Sequence, residues 1–350
     1  MATFKVENVR IAGVSACIPN NKIENKDSQL FDTEEEKLKY IDMVGVDTRY
    51  VTDENTCSSD LCFASAEKLL SDLGWNREEI DCLVFVTQTP DYKYPATACI
   101  LQARLGLSMS CLAFDMSMSC PGWIYGLSVV SSLLSAGKLR KALLLTGETV
   151  SKLRSPYDKV NLITGDAGTA TALEFSEEAS PMYFDLNTQG DKFDVVWIRD
   201  GGYRNPFNEH SLDYEKCEDG VTRNGVQTYM DGASIFGFAI KRAPESIRRL
   251  METFCIEDEK VDYYLLHQAN KVINDKIIKK LKFVPEKLPS NIRENGNTSS
   301  TAIPLMMVCR LRNDLGEKKS VACGFGGGLA YASTCFTTDK DIVCSELVTI

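Results

Sequence analysis

Ile256-Glu-Asp-Glu-Lys-Val-Asp-Tyr-Tyr-Leu-Leu-His267 repeats the pattern of Asn76-Arg-Glu-Glu-Ile-Asp-Cys-Leu-Val-Phe-Val-Thr87. Each is a short acidic segment, then an aspartate, then an apolar run. Asp81 and Asp262 stand 181 residues apart. A second pair, Ser135-Ala-Gly-Lys-Leu-Arg-Lys-Ala-Leu-Leu-Leu145 and Asp314-Leu-Gly-Glu-Lys-Lys-Ser-Val-Ala-Cys323, reads twice as a helix-capping glycine leading into a strand. Its glycines, Gly137 and Gly316, are 179 residues apart. Two independent offsets that nearly agree point to two copies of one unit, 1–177 and 178–350.

Within each copy, apolar strands alternate with helical stripes. Strands are expected at Cys82–Thr87, Ala142–Leu145, Tyr263–Leu266 and Ser320–Cys323, and helices at Asp60–Leu73, Pro121–Ala136, Lys271–Leu281 and Thr298–Arg312. Alternation of this kind implies an α/β fold with mainly parallel sheets covered by helices. Two such units stacked give a five-layer α/β/α/β/α sandwich.

The chain has 350 residues, 44% hydrophobic and 25% charged, enough to bury a large core. It has no apolar run of membrane-spanning length, and its first residues lack a secretory pattern. Thirteen cysteines without a CxxC pair, among them Cys62, Cys82, Cys99, Cys309 and Cys323 in apolar runs, read as buried reduced thiols of a cytoplasmic protein. Two histidines and no paired cysteines offer no zinc spacing, so no metal is expected. A net charge of −10 argues against nucleic acid as the main partner.

Three residues at element boundaries carry the chemistry. Cys120, in Met118-Ser-Cys-Pro-Gly-Trp123, opens a helix whose face repeats Trp123, Ile124, Leu127, Val130 and Leu134. A helix N-terminus favours thiolate, so the expected pKa lies below ~8.5. The plainer alternative is a small buried residue. His267 ends an apolar strand, where open α/β sheets gather ligands, or else is a core histidine; His210, in a polar loop, reads as surface. Asn297 precedes a helical pattern and suits an N-cap as well as a cleft. Cys323-Gly-Phe-Gly-Gly-Gly-Leu-Ala-Tyr331 is not a dinucleotide loop, since the sixth position of a GxGxxG reading is Leu329. It reads as an oxyanion hole or a tight turn between strands. Gly13-Val-Ser-Ala-Cys17 lacks the final glycine of a serine-hydrolase elbow.

Taken in order, Ala113-Phe-Asp115 with Ser119-Cys120, Gly165-Asp-Ala-Gly168, His267-Gln-Ala-Asn270, Gly296-Asn-Thr-Ser299 and Phe325-Gly-Gly-Gly328 resemble the β-ketoacyl-acyl carrier protein synthase III family of thiolase-like condensing enzymes. The resemblance spans nearly the whole chain. It implies a thiolase-like homodimer that condenses an acyl-CoA primer with malonyl-acyl carrier protein and needs no cofactor. In the family's terms, Cys120 resembles the acylated nucleophile, and His267 and Asn297 the pair at the malonyl thioester carbonyl. The amides of Cys120 and Gly327 resemble the oxyanion hole. Phe325 matches a phenylalanine beside the malonyl site, and Tyr94 an aromatic that reaches the neighbouring subunit's acyl pocket. Lys279 and Lys280, within a run that includes Lys276 and Lys282, match a basic pair that docks the acidic carrier protein; a solvated helix face is the alternative.

Some positions depart from the family pattern. Lys39 and Met43 stand where a CoA-stacking tryptophan and an arginine are usual, Val272 where another CoA-contacting arginine is usual, and Pro121 where alanine is usual. These leave open whether the primer arrives on CoA or on a carrier protein. A close variant is an acyltransferase that serves a non-malonyl acceptor in a specialised pathway; retention of His267 and Asn297 weighs against it. The order Cys120, His267, Asn297 also occurs in papain-like peptidases, but the context of Cys120 and the repeated α/β pattern do not suit them. A non-catalytic partner subunit would have lost the nucleophile.

Overall fold

In the computed structural model, which describes residues 2–137 and 139–350, the apolar runs assemble into two sheets interleaved with helices. The main strands are β1 (Ala2–Val6), β2 (Val9–Ile18), β3 (Cys82–Val86), β4 (Leu112–Met116), β5 (Lys141–Glu148), β6 (Ala167–Phe175), β7 (Met182–Thr188), β8 (Tyr263–Leu266), β9 (Lys319–Gly326), β10 (Ala330–Thr337), β11 (Val343–Cys344) and β12 (Val348–Thr349). The principal helices are α1 (Ser58–Leu73), α2 (Thr97–Arg104), α3 (Gly122–Ser135), α4 (Gly232–Thr253), α5 (Lys271–Leu281) and α6 (Ala302–Leu311).

The first sheet runs β11-β2-β6-β5-β3-β4, with β12 also beside β2; the second runs β1-β7-β10-β9-β8. In the first, β2, β6 and β5 are successively antiparallel and β5 pairs parallel with β3. In the second, β7, β10 and β9 are successively antiparallel and β9 pairs parallel with β8. Order and polarity therefore repeat. So does the contact made by the two aspartates. The Asp81 amide donates to Lys141 O at 2.9 Å and its carboxylate accepts from the Arg140 amide at 2.7 Å. The Asp262 amide donates to Lys319 O at 2.8 Å and its carboxylate accepts from the Lys319 amide at 2.8 Å. In each copy the aspartate pins the start of one parallel strand to the next. The terminal strands cross over: β1 pairs with β7 of the second sheet, while β11 and β12 pair with β2 of the first.

Five layers follow from the packing. α1 and α2 cover the outer face of the first sheet around Leu69, Phe85, Leu101 and Leu145. α3 and α6 lie between the sheets, where Trp123, Leu127, Met306, Leu144, Phe184 and Phe336 form a shared core. α4 and α5 cover the second sheet through Ile247, Ile277, Tyr264 and Val321. No helix among the described residues is long and apolar enough to cross a membrane.

Three expectations need correction. The sheets are mixed and not mainly parallel: in the second, only β9 and β8 pair parallel. Gly137 follows α3 with a left-handed φ of +104°, but Gly316 lies in a turn beyond α6, where Glu317 takes the left-handed φ of 57°. Cys62, Cys82 and Cys323 are buried, whereas Cys99 is exposed and Cys309 half-buried; all thirteen cysteines are free thiols. The four expected strands are β3, β5, β8 and β9; the structure adds the others, including the long β2, β6 and β10. β6 (AGTATALEF) and β10 (AYASTCFT) are rich in small residues because neighbours press close. A side chain at Gly168 would meet the Cys62 amide nitrogen at 2.4 Å.

Candidate active site

β4 ends at Met116, and the chain turns through Ser119, Cys120 and Pro121 into α3. The Gly122 amide closes that turn on Ser119 O at 2.7 Å. The turn rests on the glycine-rich end of β9. A Cβ at Gly326 would lie 2.7 Å from Cys120 Sγ, and one at Gly324 would lie 2.7 Å from Pro121 Cα. Ser119 Oγ donates to Gly327 O at 2.9 Å and locks the two segments together. The glycine segment does form a tight turn, between β9 and β10. Among the described residues, neither the Cys120 nor the Gly327 amide is spent on a backbone carbonyl.

Cys120 lines a cavity of about 550 Å³, and Asn297 lines the same cavity. Asn297 is held by its backbone: its amide donates to Ile163 O at 2.7 Å, and the Gly165 amide donates to its carbonyl at 3.0 Å. Gly296 has φ +67°, and a Cβ there would meet Ile163 O at 2.5 Å, so the asparagine's seat requires glycine. Asn297 does not cap α6. Its Oδ1 accepts from the Ser299 amide at 2.9 Å, which turns Nδ2 toward Ala269 O at 3.4 Å. The side chain thus presents a donor beside the His267 segment.

His267 follows β8, and its amide donates to Cys323 O at 2.9 Å on β9. It is only 1% exposed and is not part of the cavity wall. Phe325 meets its ring edge-on, with centroids 5.5 Å apart. Nδ1 is buried without a hydrogen-bond partner. Burial pushes its pKa down to about 3, so the imidazole is neutral at physiological pH. Cys120 and His267 are therefore tied to the same strand end, at Gly324–Gly326 and at Cys323–Phe325 respectively, with Asn297 beside them through Ala269.

The thiol runs against the expectation from the helix terminus. Burial pushes Cys120 up to about 11, a hydrogen bond with Ser299 opposes this, and Glu148 adds to it. The thiol is partly accessible because it faces the cavity, but protein mass surrounds that cavity. Desolvation outweighs the few amide dipoles at the start of α3. The resting group is a neutral thiol.

Two polar groups here went unread in the sequence. Glu148 ends β5 fully buried, accepting from Ser300 Oγ at 3.0 Å, Ser299 Oγ at 3.4 Å and the Gln88 amide at 3.2 Å. Burial pushes it up to about 8, so it is mostly protonated at neutral pH. Ser299 Oγ also lies 3.8 Å from Cys120 Sγ, linking thiol and carboxyl. A single acid ending an apolar strand was the available signal, as it was for His267. Arg154, on the cavity wall, is the other. Asp166 of the Gly165-Asp-Ala-Gly168 motif is structural: its buried carboxylate gathers the Thr52 and Ser151 amides at 2.8 and 2.9 Å.

The remaining sequence-derived positions lie elsewhere. Tyr94 is 88% exposed and does not line the Cys120 cavity of its own chain. Lys279 and Lys280 are exposed in the last turn of α5, where Lys280 Nζ donates to Ile240 O at 3.2 Å. Lys39 is paired with Glu35 at 2.6 Å, and Met43 is exposed.

Residues 114–190 match the family model for 3-oxoacyl-acyl-carrier-protein (ACP) synthase III, and residues 251–338 match the model for its C-terminal part. A beta-ketoacyl-acyl-carrier-protein synthase III of Streptococcus agalactiae is 33% identical over 330 residues, covering 93% of this chain and 97% of the relative. One from Lactococcus lactis is 32% identical over 332 residues, covering 93% and 97%. Among solved structures, a 3-oxoacyl-(acyl-carrier protein) synthase from Burkholderia xenovorans superposes with a TM-score of 0.93 at 33% identity, covering 99% of each chain.

Proposed function

Because this chain belongs to the 3-oxoacyl-acyl-carrier-protein synthase III family, condensing acyltransferases that act on an acyl primer in fatty acid biosynthesis, we propose that Cys120 is its acylated nucleophile and malonyl-acyl carrier protein its second substrate. The observation that carries this reading is the seating of the Cys120 sulfur against Gly326, on a cavity shared with the amide donor of Asn297. The thiol attacks the primer thioester, an acyl–sulfur bond forms, and the departing thiol carries away the proton. The amides of Cys120 and Gly327 receive the oxyanion. Malonyl thioester then loses carbon dioxide. Its enolate oxygen is met by Asn297 Nδ2 and the neutral His267 ring, each well-aimed donor contributing about 3 kcal/mol in the transition state. The carbanion attacks the acyl-Cys120 carbonyl, and the sulfur leaves to be reprotonated. Each step balances without a metal or redox cofactor.

Phe325 belongs beside the malonyl group, since it packs on His267. Exposed Lys279 and Lys280 suit an acidic carrier protein. The aromatic surface of Tyr92, Tyr94 and Tyr203 supports a homodimer in which Tyr94 reaches the partner's acyl pocket. Free thiols throughout support a cytoplasmic location. The repeated sheet order supports a division at 177/178, with the terminal strands exchanged between the copies.

Intact-mass analysis after incubation with acyl-CoA thioesters tests the core of this reading. One acyl mass should appear on Cys120. His267→Ala and Asn297→Ala should keep acylation yet lose carbon dioxide release from malonyl-acyl carrier protein by about a hundredfold each. Acylation elsewhere, or normal decarboxylation in both variants, rejects the roles.

A further inference from the structure

Arg154 follows the short turn Val150–Leu153 after β5, and its side chain lines the Cys120 cavity. Its Nε and Nη1 are sealed from solvent and hydrogen-bond to nothing. No carboxylate among the described residues pairs with it. Asp158 lends Arg154 its largest favourable charge but makes no ion pair with it, being turned to Arg223 at 3.6 Å and accepting from the Val160 amide at 2.9 Å. Glu148 is largely protonated. Other guanidiniums in the interior have acids: Arg223 has Asp219 at 2.8 Å, and Arg249 has Asp185 at 2.6 Å. Arg154 and Cys120 line the same cavity.

Arg154 is half-buried, and two sealed nitrogens without a partner are costly on a group that cannot escape by losing its proton. The cavity wall is otherwise largely apolar, with Tyr125, Val150, Leu153, Val196 and Trp197 among its residues. An alkyl primer would fill this space, displace water from the guanidinium and leave its cost unrelieved. Only Nη2 lies outside that sealed pair, and a carboxylate entering the cavity can take it in a charge-assisted hydrogen bond. The carboxylate could come from either substrate. An ion pair on the malonyl carboxylate, however, would stabilise the ground state of the group that must leave as carbon dioxide, and so oppose the reaction. A carboxylate at the far end of the primer undergoes no change and can keep its partner throughout.

We propose that the cavity is built for a short dicarboxylic primer, held on Cys120 as a thioester with its free carboxylate on Arg154. This rests on the assignment of Cys120 as nucleophile and adds the substrate class. The test compares Cys120 acylation by succinyl- and glutaryl-CoA with that by their uncharged isosteres, 4-methylpentanoyl- and 5-methylhexanoyl-CoA. One dicarboxylyl thioester should react at least about tenfold faster than its isostere. Arg154→Met should slow that reaction roughly ten- to hundredfold without slowing the isostere, and Arg154→Lys should recover part of the loss. A melting temperature for Arg154→Met equal to or above the parent's shows that the variant folds and that the lost charge was unpaired. Equal rates for acid and isostere, or a ratio unchanged by Arg154→Met, overturn the proposal. A defect confined to malonyl decarboxylation also overturns it, by moving the carboxylate to the other substrate. Failure of every thioester to label Cys120 instead rejects the assignment of the nucleophile.

Discussion

Replacing Gly326 by alanine puts a methyl group 2.7 Å from Cys120 Sγ and 2.8 Å from its Cβ. Comfortable separations are ~3.5–4.0 Å, so the two segments must part by about 1 Å. The neighbours have little room to give. Ser119 is hydrogen-bonded to Gly327 O at 2.9 Å, and the backbone of Pro121 already lies against Gly324. Overpacking of this kind costs about 1–3 kcal/mol, a few degrees in melting temperature for a chain of this size. The catalytic cost should be larger, because a displacement of ~1 Å at a reacting atom lowers rate by about a hundredfold. Acylation of Cys120 followed by mass, beside a thermal melt, separates the two effects. Gly190→Ala is the control, since a Cβ there meets nothing within 4 Å. Acylation by Gly326→Ala at the parental rate would refute the claim that this strand end positions the sulfur.

Glu148 has a folded pKa raised to about 8 from an ordinary 4.5, so the native state holds its proton more tightly than the unfolded chain. Its contribution to stability is complete below about 4.5 and is lost as pH rises toward about 8; Glu148→Gln should flatten that decline in denaturant titrations at several pH values. Cys120 in the resting protein should be alkylated by iodoacetamide with a rate that climbs through pH 9 toward about 11; a plateau by pH 8 would mean a thiolate at neutral pH. Lys279→Glu with Lys280→Glu should weaken carrier-protein binding roughly tenfold at low salt and less at high salt, measured by titration calorimetry; unchanged affinity would return both lysines to plain solvation.

The duplicated α/β plan was legible because parallel strands buried on both faces write themselves as unbroken apolar runs, and Asp81 and Asp262 mark the same joint in each copy. β6 and β10 were not legible. Their alanines, serines and threonines record how closely other elements approach, which no local pattern expresses. The motif glycines stood out, but only folding shows that Gly326 seats a sulfur while Gly296 seats an asparagine. The thiol's acidity was misread for a related reason. A helix start is visible in Cys120-Pro121-Gly122, whereas the protein mass that desolvates the sulfur comes from segments far away along the chain.

Sequence alone therefore determined the layered α/β architecture and the family, and singled out Cys120, His267 and Asn297 as candidates, since each of these depends on residue type and order. Tertiary structure decided the protonation of Cys120 and His267, the link from Cys120 through Ser299 to Glu148, and the placing of Arg154 on the cavity wall. Desolvation and charge pairing act through space, between residues that chain order keeps apart.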